Sequence, residues 1–192
     1  MDKNEFLCRF HLKQLAESSH NYRHHLPLKT AAVLIGLIDN PEHDSGLQVL
    51  LTKRSSHLKH HPSQISFPGG KTEPEDESLI ATALREAQEE IGLSPNDVTI
   101  IGQLPTYEII SGYLVTPVVA IINSQPNYKQ DDNEVAEIFQ VPLRHFLQDD
   151  NHHCLSLFRR GQHHNVHFFP YKHYNIWGAT AAMLKDLIEH IK

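Results

Sequence analysis

Residues 30–39, TAAVLIGLID, form a nearly unbroken run of aliphatic and small side chains. A run this apolar and rich in Val, Ile and Leu reads as a β-strand buried on both faces, so the sheet that holds it must be covered from two sides. The next residues, NPEHDSG at 40–46, are a turn by their Pro, Asp and Gly content. Residues 47–54 read as a second strand, and the two make a hairpin.

The covering element on one side is written at residues 67–93, FPGGKTEPEDESLIATALREAQEEIGL. This stretch reads as a glycine turn, an acidic loop and one amphipathic helix. Asp76 is the expected N-cap, because a short carboxylate accepts hydrogen bonds from the free N–H groups of a first turn. Gly92 and Pro95 should end the helix near Ile91. Leu79, Ile80, Ala83, Leu84, Ala87 and Ile91 recur at helical spacing and form its buried stripe.

The remaining segments complete a mixed pattern. Residues 2–19 read as a short amphipathic helix with Phe6, Phe10, Leu12 and Leu15 near one side. Residues 98–104, 114–123 and 134–141 read as strands, and Pro117 implies that its strand lies at an edge or carries a bulge. Residues 153–158 and 166–169 suit a hairpin around Gly161. Residues 174–192 read as a closing helix with Ile176, Ala179, Met183, Leu187 and Ile191 spaced to pack. Strands around one central helix, with a second helix at the end, indicate an α+β chain built as a mixed-sheet sandwich. The expected division is residues 1–29 as an N-terminal helix and connection, and residues 30–192 as the main domain.

Glu86, Glu89 and Glu90 share one turn of the central helix, since residues three and four apart are neighbours. Like charges at that spacing cost a few tenths of a kcal/mol per pair, and the C-terminal end of a helix dipole disfavours anions. A solvated acidic face is the bland explanation. A divalent cation explains the crowding better, because hard carboxylate oxygens suit Mg²⁺ or Mn²⁺ shared with substrate phosphates.

The 192 residues suffice for one ample core, with 40% hydrophobic and 21% charged residues. A formal net charge of -6 argues against nucleic acid as the main partner. Sixteen histidines are scattered, and pairs such as 60–61, 152–153 and 163–164 lack the companion ligands of a zinc site, so they read as surface residues. Cys8 and Cys154 have no CxxC spacing and fit a reduced, cytoplasmic protein. No signal peptide is indicated at the N-terminus, and the longest apolar runs are too short to span a bilayer. The reading leaves room for a homodimer.

FPGG followed by REAQEEIGL resembles the signature of the Nudix hydrolases, Gly-x5-Glu-x7-Arg-Glu-U-x-Glu-Glu-x-Gly-U with U aliphatic. Gly70 matches the opening glycine. Arg85, Glu86, Ala87, Glu89, Glu90, Gly92 and Leu93 match the second half. One extra residue separates Gly70 from Arg85, so Asp76 has the family's distance from the glycine and Glu77 its distance from the arginine. The resemblance implies an α/β/α sandwich, with Glu86 and Glu90 as metal ligands, Glu89 as a third, and Gly69 and Gly70 allowing close approach to metal or phosphate. Arg85 reads as structural, paired with a loop carboxylate such as Glu77.

Residues 50–70, LLTKRSSHLKHHPSQISFPGG, are similar to the marker of the coenzyme A pyrophosphatases within that family. Leu50, Leu51, Thr52, Arg54, Ser55, Lys59 and 67–70 follow it, whereas His57 stands where a serine is often found and Ser63 where glycine is usual. YNIWGATA at 174–181 resembles the subfamily's closing helix start. The resemblance implies hydrolysis of coenzyme A to 3′,5′-ADP and 4′-phosphopantetheine. Lys53, Arg54 and Lys59 are then candidates to hold substrate phosphates, although an edge strand kept soluble by lysine is the plainer explanation of the same charges. The general base is drawn from Asp131, Asp132, Glu134 and Glu137, with Glu134 favoured and Glu89 as runner-up. Rival readings are a diphosphatase for ADP-ribose or a dinucleotide, and a non-catalytic nucleotide-sensing module.

Overall fold

The computed structural model describes residues 1–16, 27–39, 46–123, 127–159 and 162–192. The larger sheet has eight strands: β1 (Lys29–Ile38), β2 (Gln48–Arg54), β3 (Ile65–Ser66), β4 (Gly69–Lys71), β5 (Val98–Gln103), β6 (Tyr107–Ile109), β7 (Tyr113–Ile122) and β8 (Val135–Pro142). Its main path runs β3-β2-β1-β7-β5, with β4 on β1, β6 on β7 and β8 on β2. β1 and β7 pair in parallel over ten residues, whereas β1 and β2 form the expected antiparallel hairpin. The sheet is therefore mixed. A second sheet, ordered β11-β10-β9, comprises β9 (His153–Arg159), β10 (Gln162–Tyr171) and β11 (Tyr174–Trp177).

Alternation along β1 explains the layers. Ala32, Leu34 and Ile38 face α2 (Leu79–Ile91), packing with Leu50, Ala83, Ala87, Ile91 and Val118. Ile35 and Leu37 face the other way, toward α1 (Lys3–Leu12) and α4 (Ala179–Ile191), among Phe6, Phe10, Leu184 and Leu187. Each large aliphatic side chain withdrawn from water this way contributes about 1.5–3 kcal/mol, so both helical layers are held by burial. A short α3 (Leu143–Leu147) buries Leu143 and Phe146 beneath the second layer. The result is the α+β sandwich that the strand and helix pattern implied.

Four local expectations change. α1 spans Lys3–Leu12 and buries Phe6 and Phe10, but Leu12 is 83% exposed and Leu15 also faces solvent. Its packing is closed by Phe10 and His190, whose ring Nε2 lies 2.8 Å from the Phe10 carbonyl. Residues 17–19 of the expected helix lie outside the described residues. Of the two expectations for Pro117 the edge fails, because β7 has β1 on one side and β5 and β6 on the other, and the bulge holds, because the β5–β7 ladder shifts register between Ile100 and Gly102. Its carbonyl accepts from Leu104 N at 2.9 Å, at the break between β5 and β6, so the missing N–H falls in a gap in the ladder.

Residues 174–177 are a strand rather than the start of the closing helix. Ile176 is buried from β11, opposite Phe169, and the apolar period resumes only at Ala179. The hairpin expected around Gly161 forms as β9 and β10, with Gly161 itself outside the described residues, as are 40–45 of the expected turn. The histidines are not all superficial, since His167 and His190 are buried. Cys8 and Cys154 are free and exposed. Among the described residues no helix is long and apolar enough to cross a membrane.

Candidate active site

α2 begins two residues later than its acidic loop suggests. Ser78, not Asp76, is the N-cap, and its Oγ accepts from Ala81 N at 3.1 Å. Asp76 is engaged elsewhere: Oδ1 accepts from Arg85 Nε at 2.9 Å, while Oδ2 accepts from Arg85 Nη2 at 3.0 Å and from Thr82 Oγ1 at 2.9 Å. This fork replaces the expected Arg85–Glu77 pair, and Glu77 is exposed. The spare residue in the loop thus leaves Asp76 as the arginine's partner. Arg85 also donates to Lys71 O at 2.9 Å, to Glu86 Oε1 at 3.1 Å and to Glu89 Oε2 at 3.0 Å. Its guanidinium holds the Asp76 carboxyl well below the usual carboxylate range, and the pairing raises Arg85 in turn. Arg85 therefore ties loop to helix.

The far end of α2 stops at Gly92, in the left-handed region with φ 69°. The carbonyls left free there dock the following polar loop, as Lys129 N donates to Ile91 O at 3.0 Å and Asp131 N to Glu90 O at 2.9 Å. From the other side Ser55 anchors the same loop: its N–H donates to Glu134 O and its Oγ to Asp132 O, both at 2.9 Å. In β8 a bulge skips Ala136, pairing Arg54 with Val135 and turning Val135 under α2. Ser55 belonged to the recognised stretch, yet nothing in the linear sequence revealed that it carries this loop.

Glu86 and Glu90 lie at this junction, and the exposed Glu134 is near enough to repel both. Glu90 is buried, with Oε2 accepting from Gly69 N at 3.3 Å and Oε1 3.8 Å from Arg54 Nη1. Burial pushes its carboxyl up to about 8, Arg54 opposes that rise, and Glu134 and Glu86 add to it by repulsion. Burial also raises Glu86, which Arg85 counteracts and Glu89 and Glu134 reinforce. Gly70 permits the crowding, since a Cβ there would stand 2.5 Å from the Glu86 carboxylate.

Glu89 is separate, with a side chain 60% exposed and tied to Arg85. Lys53 lies on the opposite face of β2 from Arg54 and opposite Glu137. Glu137 accepts from Tyr174 Oη at 2.5 Å, lifting that phenol to about 12. Lys59 is exposed in the β2–β3 loop. Asp131 and Asp132 have their carboxylates within the loop, bonded to Asn133 and Gln130.

Glu86 and Glu90 are held close together against their own repulsion, with the charge of Glu134 nearby. Arg54 stands beside Glu90, and Arg85 divides its charge between Glu86, Glu89 and Asp76, so a local excess of negative charge remains. Among the described residues no group of three or more His, Cys, Asp or Glu side chains is placed to hold a metal ion. Two neighbouring glutamates suit a hard divalent ion that keeps waters and shares itself with phosphate oxygens. Glu86 and Glu90 are the residues that could hold it.

The NUDIX domain family profile matches residues 28–160. An uncharacterized Nudix hydrolase NudL of Cronobacter sakazakii is 44% identical over 186 residues, covering 96% of this chain and 92% of its own. Another of that name, from Escherichia coli, is 41% identical with the same coverage. The crystal structure of a Nudix hydrolase from M. Smegmatis, RenU, superposes with a TM-score of 0.52 over 69% of this chain and 81% of its own, at 22% identity, which supports the fold alone. The domain match and the close relatives together establish that this chain belongs to the Nudix hydrolase family.

Proposed function

We propose that the chain is a divalent-cation-dependent diphosphatase that cleaves coenzyme A into 3′,5′-ADP and 4′-phosphopantetheine. The observation that carries the reading is the pair Glu86 and Glu90, with the charge of Glu134 nearby and the Arg54 guanidinium beside Glu90. Residues 50–70 support coenzyme A in particular, because the stretch that resembles the subfamily marker runs through Arg54 into Gly69 and Gly70 at the carboxylates. Coenzyme A also offers a 3′-phosphate for the exposed basic loop around Lys59.

A divalent ion bound here, Mg²⁺ or Mn²⁺, supplies charge neutralisation of the diphosphate and acidification of water, effects worth several kcal/mol of barrier. The chain's own groups do the rest. Glu86 and Glu90 provide the anionic oxygens. Arg54 reaches past Glu90 to hold a phosphate oxygen by a charge-assisted hydrogen bond. Glu134, at the mouth of the site, takes the proton of the attacking water, with Glu89 as the alternative base. Asp76, Arg85 and Ser55 position the helix and the loop that present these groups. Lys53, turned to the other face, is left without a direct role.

Incubation with coenzyme A and Mg²⁺ or Mn²⁺, followed by product masses, tests the reading. Release of 3′,5′-ADP and 4′-phosphopantetheine supports it. Faster cleavage of ADP-ribose or a dinucleotide than of coenzyme A would move the substrate within the family, and nucleotide binding with no turnover of any diphosphate would make the chain a sensor.

A further inference from the structure

β9 forms the edge of the smaller sheet and is hydrogen-bonded along one side to β10, over seven consecutive pairs. Among the described residues no backbone hydrogen bond reaches it from another strand. Both its faces are open, since every side chain from His153 to Phe158 is exposed. Leu155 is 56% exposed, Leu157 53% and Phe158 68%. The register sets Leu155 and Leu157 on one face with Val166, Phe168 and Trp177, and the Phe168 and Trp177 rings lie parallel at 6.4 Å.

Exposed edges in monomers are normally blunted by lysine, proline, a bulge or an inward charge. Residues 153–159, HCLSLFR, contain no lysine, proline or acid, and their register is unbroken. We propose that two copies of this chain form a twofold dimer by antiparallel β9–β9 pairing centred on Ser156. Two three-stranded sheets then join into one of six strands.

Self-complementarity selects a second copy as the occupant. About that axis Ser156 meets its own counterpart, Leu155 of one copy meets Leu157 of the other, and Cys154 meets Phe158. His153 falls opposite position 159 at each end of the pairing, and no acid faces an acid. The chain carries -6 overall, and β9 is an acid-free place for two such chains to approach. The exposed parts of Leu155, Leu157, Phe158 and Trp177 amount to on the order of 400 Å² of apolar surface on each copy. A stable interface needs about 800 Å² per partner, and the paired backbones and polar rim would add to the apolar share.

Sedimentation of the full chain between low and high micromolar concentration reads the association. Dimer is expected, and Leu155→Lys/Leu157→Lys, which sets lysine opposite lysine, is expected to weaken it by about a hundredfold with the circular dichroism spectrum unchanged. Independently, Ser156→Cys in a Cys8→Ser/Cys154→Ser background should give an intermolecular disulfide under mild oxidation, because either kind of opposed antiparallel pair brings its Cα atoms within bridging range. A wild-type chain that stays monomeric throughout overturns the proposal. So does a dimer that ignores the lysines, or a Ser156→Cys dimer that fails to crosslink.

Discussion

A Cβ on Gly70 would stand 2.5 Å from the carboxylate of Glu86, closer than any packed side chain tolerates. The clash is with the flexible end of the glutamate, so Gly70→Ala should cost less than about 1 kcal/mol of stability while pushing the acid out of place. Displacements of that size in an active site lower rates about a hundredfold. Steady-state kinetics beside a thermal melt checks this, and a variant with full activity would free Gly70 from the site.

Glu90 gives a prediction of opposite signs. Its carboxyl is raised to about 8 in the folded chain, against an ordinary 4.5. Between those values the unfolded chain has lost a proton that the folded chain keeps, so the cation-free protein loses stability as pH rises through that window. Glu90→Gln removes the ionisable group. At pH 8 without divalent cations it should melt higher than wild type, by about 2–4 °C per kcal/mol recovered, while turnover falls by at least about a thousandfold. A lower melting temperature at that pH would contradict the burial penalty.

Asp76 and Glu77 are adjacent acids with different expected roles. Asp76→Ala leaves the Arg85 fork unanswered and should destabilise the fold by about 2–3 kcal/mol at pH 7, whereas Glu77→Gln should stay within about 0.5 kcal/mol. Because pairing depresses the folded pKa of Asp76, its contribution is full above the ordinary carboxylate range and fades as pH falls below about 4. Denaturant titrations at pH 7 and pH 3.5 should therefore show the Asp76→Ala deficit shrinking with acidity.

Glu134 and Glu89 compete for the role of base. Glu134→Gln should lower kcat by roughly 10²–10⁴ with little change in KM. Glu89→Gln, at an exposed carboxylate already bonded to Arg85, should lose less than about tenfold by the same yardstick. The reverse order in measured kcat would hand the proton to the helix residue.

Periodicity and spacing made much of this molecule legible. The run at 30–39 announced a strand buried on both sides, and the stripe through Ala83, Ala87 and Ile91 announced the helix that covers it. The second helical layer was half visible. Phe6 and Phe10 were marked, but Leu12, two places past Phe10 and so on another side of the helix, and Leu15, beyond the helix end, face solvent. Pro117 left edge and bulge open, and only the packed sheet chose the irregular ladder, since a proline's tolerance depends on which neighbouring strand lies opposite its nitrogen.

Chain order by itself determined the elements and the acidic helix, because hydrophobic period and cap chemistry act between residues a few places apart. Only the folded chain decided which carboxylates meet. Glu90 turns inward to Gly69 and Arg54, Glu89 turns out, Asp76 rather than Glu77 takes Arg85, and Glu134 arrives from a loop docked on the helix end. Those choices depend on burial and on contacts between distant segments, and an isolated acid carries no mark of either.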